Sequence, residues 1–186
     1  MANGQILPWR CKVNEWWEAF WFFLPAGFAN MSPILAARLP LLRHWGTPID
    51  FGVKYKGERL LGANKTWRGL LFGVLVGVLV ALFQYRFIAS SAESVGFIVL
   101  VGAALGFGAL VGDAVESYFK RRSQVPAGES WFPFDQTDYI VGGVLFASLF
   151  VSLGLADILR ITLIYFGLHL MMSYVGYLTG VKKRPI

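Results

Sequence analysis

The 186-residue chain is 56% hydrophobic and carries a formal net charge of +6 at neutral pH. Its mean hydropathy of +0.56 is too high for a soluble domain of ordinary composition. The single cysteine, Cys11, excludes an internal disulfide and any cysteine-based metal site.

The apolar residues are concentrated in stretches long enough to cross a bilayer as helices. A hydrocarbon core of ~30 Å requires about 20 apolar residues in a helix. We expect spans at residues 16–37, 69–88, 95–113, 139–157 and 159–179. The last two form one apolar run that is too long for a single crossing, and only two charged residues interrupt it. The predicted fold is therefore all-α, a polytopic integral membrane protein with five transmembrane helices in one membrane domain, 1–186.

The basic residues predict how these spans are oriented. Alternate segments between the spans hold thirteen of the 17 Lys and Arg residues, and the remaining segments hold four. By the positive-inside rule, the N-terminus lies outside and the C-terminal tail and two loops, 38–68 and 114–138, are cytoplasmic. Topology therefore explains the positive charge without a nucleic acid partner. Binding of an anionic substrate or of anionic membrane lipids is a further use of the same charge.

The second and third spans contain glycines at four-residue spacing. They are Gly69, Gly73 and Gly77 in the second span, and Gly102, Gly106, Gly108 and Gly112 in the third. Small residues at this spacing allow helix backbones to approach closely. We expect such packing to hold the two cytoplasmic loops side by side.

The first cytoplasmic loop contains residue types that bind phosphates. The six candidates are Gly62, Asn64, Lys65, Thr66, Trp67 and Arg68. Glycine allows a ligand to approach the backbone, the cations attract phosphate, the polar side chains form hydrogen bonds, and the indole can pack on a base. The sequence pattern GxxxxGK[ST] of a Walker A loop is absent. The alternative is a basic turn at the membrane surface in which Asn64 or Thr66 caps the following helix.

The second loop begins with acids and continues with bases on one predicted helix face. Asp113, Glu116, Ser117, Lys120 and Arg121 have the spacing i, i+3, i+4, i+7 and i+8, so they share that face. The first acid lies about 27 Å from the start of its span, near the inner edge of the hydrocarbon core. An acid at that depth is costly unless it is paired or binds a cation.

Two further acids, Asp135 and Asp138, lie where the next span begins. Carboxylates grouped near a phosphate-binding loop suit Mg²⁺, which prefers one or two carboxylates together with substrate phosphates. Helix capping is the alternative for this pair of acids. For the basic run 120–122 the alternative is a signal for topology alone.

Together these motifs resemble those of the cytidylyltransferases that activate membrane lipid phosphates. The resemblance covers residues 48–143, and the short length and five expected spans look most like the archaeal CDP-archaeol synthase family. The larger bacterial and eukaryotic enzymes carry a His-containing PGHGG element, where this chain has the sequence PAGES at residues 126–130.

The resemblance implies a reaction between CTP and an isoprenoid ether-lipid phosphate that gives a CDP-lipid and pyrophosphate, with Mg²⁺ as the cofactor. It implies that Asp113 and Asp138 are metal ligands assisted by Asp135, and that Lys120 and Arg121 hold phosphates. Ser117 and Glu116 are expected to assist substrate binding. A phosphomonoester with a second pKa near ~6 is already ionised at neutral pH, so no general base is required. We therefore expect the two histidines, His44 and His169, to be structural.

Two other functions fit parts of the sequence. A phosphatidate cytidylyltransferase that makes CDP-diacylglycerol would bind the same phosphomonoester group. A Mg²⁺ channel or transporter could use the same acids, but permeation requires polar groups through the depth of the bilayer, and these are sparse here. The sequence predicts an active site that faces the cytoplasm in the cell membrane, and it does not indicate an oligomeric state.

Overall fold

The structure is a computed structural model that describes residues 15–55, 57–87, 94–126 and 129–180. Its described residues form five α-helices and one short hairpin. The helices are α1 (Trp16–Arg38), α2 (Trp67–Phe87), α3 (Val95–Arg122), α4 (Phe134–Ala147) and α5 (Leu155–Leu178). The antiparallel hairpin joins β1 (Lys54–Tyr55) to β2 (Glu58–Arg59). Cys11 and residues 127–128 of the PAGES sequence lie outside the described ranges.

Four of the helices, α1, α2, α3 and α5, are long and apolar enough to cross a membrane. Helix α4 has 14 residues, so it is about 21 Å long and shorter than a ~30 Å hydrocarbon core. The all-helical architecture and the multi-pass membrane character agree with the sequence analysis. The count of five spans stays a prediction because it depends on α4.

The predicted span at residues 139–157 does not form one helix. Helix α4 ends at Ala147, and residues 148–154 are non-helical. Hydropathy stays high through residues 148–154, so the sequence pattern does not reveal the break there. It predicts a break further along, at the two charged residues of this apolar run. Asp157 in fact lies in the first turn of α5, where its carboxylate accepts a 2.9 Å hydrogen bond from the backbone N–H of Gly154.

The predicted loop 114–138 is also shorter than expected. Helix α3 continues to Arg122 and α4 begins at Phe134, so the connection is residues 123–133. The apolar span ends near Asp113, but a helix does not have to end where its hydropathy falls. The basic residues 120–122 lie in the last turn of α3, where they complement the negative end of the helix dipole.

Helix α3 packs directly against α2 through glycines, as the sequence spacing predicts. A Cβ atom added to Gly77 would lie 2.8 Å from the carbonyl oxygen of Gly102. A Cβ atom added to Gly102 would lie 2.6 Å from the Cβ of Ala81. Both distances are shorter than any ordinary carbon contact, so the two backbones are in contact only because these side chains are absent.

On its other side, α3 packs in the same way against α4. A Cβ atom on Gly112 would collide with the carbonyl oxygen of Asp138, and one on Gly142 would collide with that of Gly108. Asp113 follows Gly112 directly in sequence. This packing therefore brings the C-terminal half of α3 against the first turns of α4, where two of the candidate acids lie.

Helices α1 and α5 complete the bundle around a buried aromatic core. Phe23 of α1 is fully buried, and its ring lies 4.9 Å from that of Tyr165 on α5. The Tyr165 hydroxyl donates a 2.6 Å hydrogen bond to the carbonyl of Phe20. Its own carbonyl accepts a 3.0 Å bond from the hydroxyl of Tyr139 on α4. These bonds fix α5 to α1 and α4 inside an apolar environment, where an unsatisfied hydroxyl would be costly.

Candidate active site

The loop between α1 and α2 folds back so that its two ends pair with each other. The backbone N–H of Ile49 donates to the carbonyl of Lys65 at 2.8 Å, and that of Trp67 donates to the carbonyl of Thr47 at 3.0 Å. Gly62 has φ +94°, a left-handed conformation that suits glycine. The turn at Gly62 therefore returns the chain along residues 47–49 and fixes the position of Lys65.

The buried side chain of Asp50 stabilises the middle of this loop. Its side chain is 1% exposed and forms an ion pair of 2.9 Å with Arg59. It also accepts hydrogen bonds from the backbone N–H groups of Gly52, at 3.0 Å, and Leu61, at 3.1 Å. Burial raises the pKa of Asp50, but the hydrogen bonds from Gly52, Leu61 and Arg59 outweigh that effect, so the pKa lies below its usual value. The loop is thus built around a charged carboxylate.

The loop reaches the second acidic segment through Lys65. Its Nζ atom lies 2.5 Å from Oδ2 of Asp113 on α3. Both side chains are largely shielded, with 20% and 28% exposure. This ion pair joins the two segments that the sequence analysis expects to meet.

Three carboxylates converge where α3 meets α4. Asp113, Glu116 and Asp138 each place an oxygen atom within 4.8 Å of the others. Glu116 is buried, and its Oε1 atom has no hydrogen-bond partner. The Nζ atom of Lys120 lies 3.7 Å from that oxygen, too far for a hydrogen bond. A buried carboxylate oxygen without a partner, beside two further carboxylates, fits a hard divalent cation.

Asp135 lies beside this trio and not within it. One of its carboxylate oxygens lies 2.6 Å from Nζ of Lys120, and the other accepts a 2.8 Å bond from the backbone N–H of Trp131. Lys120 is buried and thus lies between the carboxylates of Asp135 and Glu116. The sequence analysis expects Asp135 to assist the metal and gives Glu116 a substrate role. Of these two residues, Glu116 belongs to the converging trio and Asp135 lines the cavity described next.

A polar cavity of about 560 Å³ opens between the first loop and the acids. The candidates that line it are Asn64, Lys65, Thr66, Arg68, Asp113, Asp135 and Asp138. Three further polar or charged side chains, which the sequence does not predict for the site, also line it: Asn30 and Arg38 of α1, and His169 of α5. The His169 ring lies 6.0 Å from that of Tyr139. A lone histidine in an apolar span can indicate a residue that lines a functional cavity. Structural histidines occur in the same sequence context, so the sequence alone does not identify this position.

Two of the cavity residues also form hydrogen bonds that stabilise the fold. Thr66 is buried, and its hydroxyl accepts a 3.3 Å hydrogen bond from the backbone N–H of Gly69 at the start of α2. The guanidinium of Arg68 donates to the backbone carbonyls of Leu42, at 3.3 Å, and Arg43, at 2.7 Å. Thr66 therefore caps α2, as the capping alternative expects. It also lines the cavity.

Six candidates do not line this cavity, and two of them, Glu116 and Lys120, belong to the acidic cluster described above. Trp67 packs its ring 6.2 Å from that of Phe51, and Gly62 serves the turn. Ser117 is buried, and its hydroxyl donates to Glu116 over 3.5 Å. Arg121 forms no ion pair with any acid in the described ranges, and its assigned role stays a prediction.

A second cavity, also of about 560 Å³, is an apolar groove between α3 and α4. Its apolar walls include Val115 and Phe119 of α3 and Val141 and Leu145 of α4, all of which are exposed on the outer face of the bundle. Asp138 lines both this groove and the polar cavity. The carboxylate trio therefore lies where a polar and an apolar cavity meet.

Comparison with known proteins identifies the family. A family model described as "CarS-like: CDP-archaeol synthase" matches residues 13–186. The chain belongs to the CDP-archaeol synthase family. The CDP-archaeol synthase of Pyrococcus horikoshii is 35% identical over 175 residues, which cover 94% of this chain and 99% of that protein. The synthase of Thermococcus kodakarensis is 38% identical over 168 residues, covering 90% and 94%. That of Halobacterium salinarum is 33% identical over 178 residues, covering 90% and 94%.

A solved structure of an intramembrane enzyme for archaeal membrane lipids biosynthesis has the same fold as this CDP-archaeol synthase family member. The two superpose with a TM-score of 0.73 at 27% identity, over 86% of this chain and 94% of that one. The family assignment confirms the resemblance found in the motifs. It also confirms the enzyme class, a CTP-dependent cytidylyltransferase.

Proposed function

We propose that this chain transfers CMP from CTP to an unsaturated archaeal ether-lipid phosphate, 2,3-bis-O-geranylgeranyl-sn-glycerol 1-phosphate, giving CDP-archaeol and pyrophosphate. The observation that carries the proposal is the position of Asp138, which lines both the polar cavity and the apolar groove. A water-soluble polyanion and a lipid phosphate can approach one carboxylate cluster from these two sides. The names of the related proteins supply the product.

The polar cavity suits CTP. Lys65, Arg68 and Arg38 line it and supply positive charge for the triphosphate. Asn64 and Thr66 line the same cavity and offer hydrogen bonds to the nucleotide or its phosphates. The apolar groove is lined by aliphatic and aromatic side chains that suit the prenyl chains.

In the proposed reaction, an oxygen of the lipid phosphate attacks the α-phosphorus of CTP. A new phosphorus–oxygen bond forms there, the bond from the α-phosphorus to the bridging oxygen breaks, and pyrophosphate leaves with that bonding pair. The attacking group is already ionised because its second pKa is near ~6. The main obstacle is repulsion between two anions, which positioning and cationic side chains reduce. Lys65 and Lys120 lie beside the carboxylates and are placed to reduce it.

The carboxylate trio fits Mg²⁺. Asp113, Glu116 and Asp138 would hold it, since their oxygens converge within 4.8 Å and hard oxygen ligands are the ones it prefers. Bound there, Mg²⁺ supplies positive charge that offsets the charge of the phosphates. Asp135 has a different role in this proposal, because it holds Lys120 in place. Ser117 supports the trio through its hydrogen bond to Glu116.

We further propose that the site faces the cytoplasm of the cell membrane and that α4 provides the fifth span with residues 148–154. The support is the distribution of Lys and Arg, with thirteen of 17 in the segments at one end. The contact between Lys65 and Asp113 supports this proposal, because it joins the first basic loop to the helix that carries the second basic segment.

The test is a reaction of the purified chain with CTP, Mg²⁺ and the geranylgeranyl ether-lipid phosphate, followed by detection of a cytidine-bearing lipid. Equal amounts of the ester-linked diacylglycerol phosphate compete in the same vessel. We expect CDP-lipid and an equimolar amount of pyrophosphate, with the ether lipid preferred. Preferential use of the ester lipid would assign the chain to phosphatidate activation, and no cytidine-bearing lipid from either acceptor would reject the proposal.

A further inference from the structure

One basic residue of the apolar groove has no assigned role. Among the described residues, Arg122 is the sole cation that lines the groove. It belongs to a stripe on α3 in which Val115, Phe119 and Arg122 follow each other at intervals of three or four residues. The acids Glu116 and Asp138 line the same groove. The groove therefore has apolar walls, a carboxylate cluster on one side and one guanidinium near its polar end.

The residues around Arg122 stabilise its positive charge but do not neutralise it. The centre of its guanidinium lies 4.8 Å from the ring centre of Tyr118 and 5.3 Å from that of Tyr55. Its Nε and Nη2 atoms are buried and have no hydrogen-bond partner. No described acid lies within ion-pair distance of it. Aromatic faces stabilise a guanidinium, but a positive charge next to an apolar groove remains an attractive position for an anion.

The guanidinium is folded back along α3 over the preceding turn. Tyr118 precedes Arg122 by four residues, one turn, and contact with it places the guanidinium near the level of Tyr118 along α3. Helical side chains lean towards the N-terminus in this way. Tyr118 lies two residues beyond Glu116, which is about 3 Å along the helix axis. Because Arg122, Glu116 and Asp138 line the same groove, an anion bound there by Arg122 would share the groove with two members of the carboxylate cluster.

We propose that Arg122 binds the phosphate of the acceptor lipid and thereby positions it for attack, a role that rests on the proposed function of the groove. A planar guanidinium matches two oxygens of a phosphomonoester. Lys120 is already paired with Asp135, and Lys65 and Arg68 line the other cavity. Arg122 therefore distinguishes the lipid phosphate from the phosphates of CTP. The stacking ring of Tyr118 keeps the guanidinium in place.

The test compares Arg122→Ala, Arg122→Lys and Tyr118→Leu with the unchanged chain in steady-state kinetics. Arg86→Ala is the matched control, because Arg86 is an exposed arginine in the last turn of α2 and lines neither cavity. We expect Arg122→Ala to raise KM for the lipid phosphate by about tenfold or more and to leave KM for CTP within twofold, since it removes charge-assisted hydrogen bonds. Arg122→Lys should restore part of the loss. Tyr118→Leu should raise the lipid KM less than Arg122→Ala does.

A second measurement separates this inference from the proposed reaction. Binding of radiolabelled geranylgeranyl ether-lipid phosphate to the detergent-solubilised chain is measured without CTP, with inorganic phosphate as competitor. We expect weaker binding by Arg122→Ala even in a chain that forms no product, and only weak competition by inorganic phosphate. Unchanged lipid binding in Arg122→Ala, or an equal rise of both KM values, would overturn the inference. Retained CTP binding shows that each variant is folded.

Discussion

Lys65 and Asp113 are 48 residues apart in the sequence, yet their side chains form an ion pair of 2.5 Å between Nζ and Oδ2. The pair connects the loop before α2 to the C-terminal half of α3. Because both side chains are largely shielded from water, salt screens their attraction less than it screens a surface pair. The pair keeps the ammonium group of Lys65 directed at the carboxylate cluster, where the phosphates of a substrate would also lie.

Lys65→Ala should therefore weaken the use of CTP. The variant removes a cation that lines the polar cavity, and we expect KM for CTP to rise by about tenfold, the loss of one charge-assisted contact. Steady-state kinetics with varied CTP measures this effect. Lys54→Ala is the matched control, because Lys54 is exposed on β1 and lines neither cavity. Equal kinetics in the two variants would show that the Lys65–Asp113 pair serves the fold alone.

Glu116→Gln and Asp135→Asn distinguish the two possible sets of metal ligands. We expect Glu116→Gln to raise the Mg²⁺ concentration for half-maximal activity by about tenfold or more. Loss of a carboxylate ligand, or of a residue that supports one, weakens metal binding by that order. Asp135→Asn should leave that concentration nearly unchanged and lower kcat, because it releases Lys120. Titration of activity with Mg²⁺ measures both effects.

The same two variants have a second readout that does not need turnover. Binding of Mn²⁺ followed by electron paramagnetic resonance should weaken in Glu116→Gln and stay close to that of the unchanged chain in Asp135→Asn. The reverse order would restore Asp135 as a ligand and remove Glu116. Asp113→Asn and Asp138→Asn should both behave as Glu116→Gln does, because the three oxygens converge within 4.8 Å.

Sequence spacing predicts the face of α3 but not the partner of each acid on α4. The i, i+3, i+7 pattern correctly places Asp113, Glu116 and Lys120 on one face, because they belong to a single helix whose geometry is fixed. Asp135 and Asp138 belong to another helix, and which of them joins the acids of α3 depends on how α4 packs on α3. The close contact of Gly112 with the backbone of Asp138 decides that question, and spacing alone does not contain it.

Other parts of the site depend on long-range contacts that no local sequence pattern reveals. His169 lines the polar cavity from α5, and Arg122 of α3 lines the groove together with residues of α4. The break at residues 148–154 lies inside a continuous apolar run, so hydropathy does not reveal it. The four long apolar helices α1, α2, α3 and α5, the glycine contacts and the meeting of the two loops could be predicted, since each depends on composition or helical periodicity.

Asp50→Asn should loosen the first loop without unfolding the helices. The carboxylate accepts hydrogen bonds from Gly52, Leu61 and Arg59, and bonds to a charged group contribute about 1.5–3 kcal/mol each. We expect faster proteolytic cleavage within residues 39–66, a higher KM for CTP and a nearly unchanged midpoint of thermal unfolding by circular dichroism. Glu58→Gln is the control, because Glu58 is an exposed acid of the same hairpin.

The protection of this loop should also respond to pH in a defined direction. The folded pKa of Asp50 lies below its ordinary value of 3.8, so its stabilising effect is complete above that value and is lost as the pH falls through the lowered pKa. Between about pH 5 and 8 the unchanged chain should show constant protection of the loop. A loss of protection within that range would contradict the assigned charge state.

Gly112→Ala tests whether the contact of α3 with α4 sets the geometry of the carboxylates. The added methyl group would collide with the carbonyl oxygen of Asp138, so the helices must separate, and overpacking of this kind costs about 1–3 kcal/mol. Gly167→Ala is the matched control, because Gly167 also lies within a membrane helix, α5, and a Cβ there meets nothing within 4 Å. We expect Gly112→Ala to lower the unfolding midpoint and to raise the Mg²⁺ requirement, while Gly167→Ala changes neither. If Gly112→Ala lowered the midpoint but left the Mg²⁺ requirement unchanged, the carboxylates would converge without the close contact of the two helices.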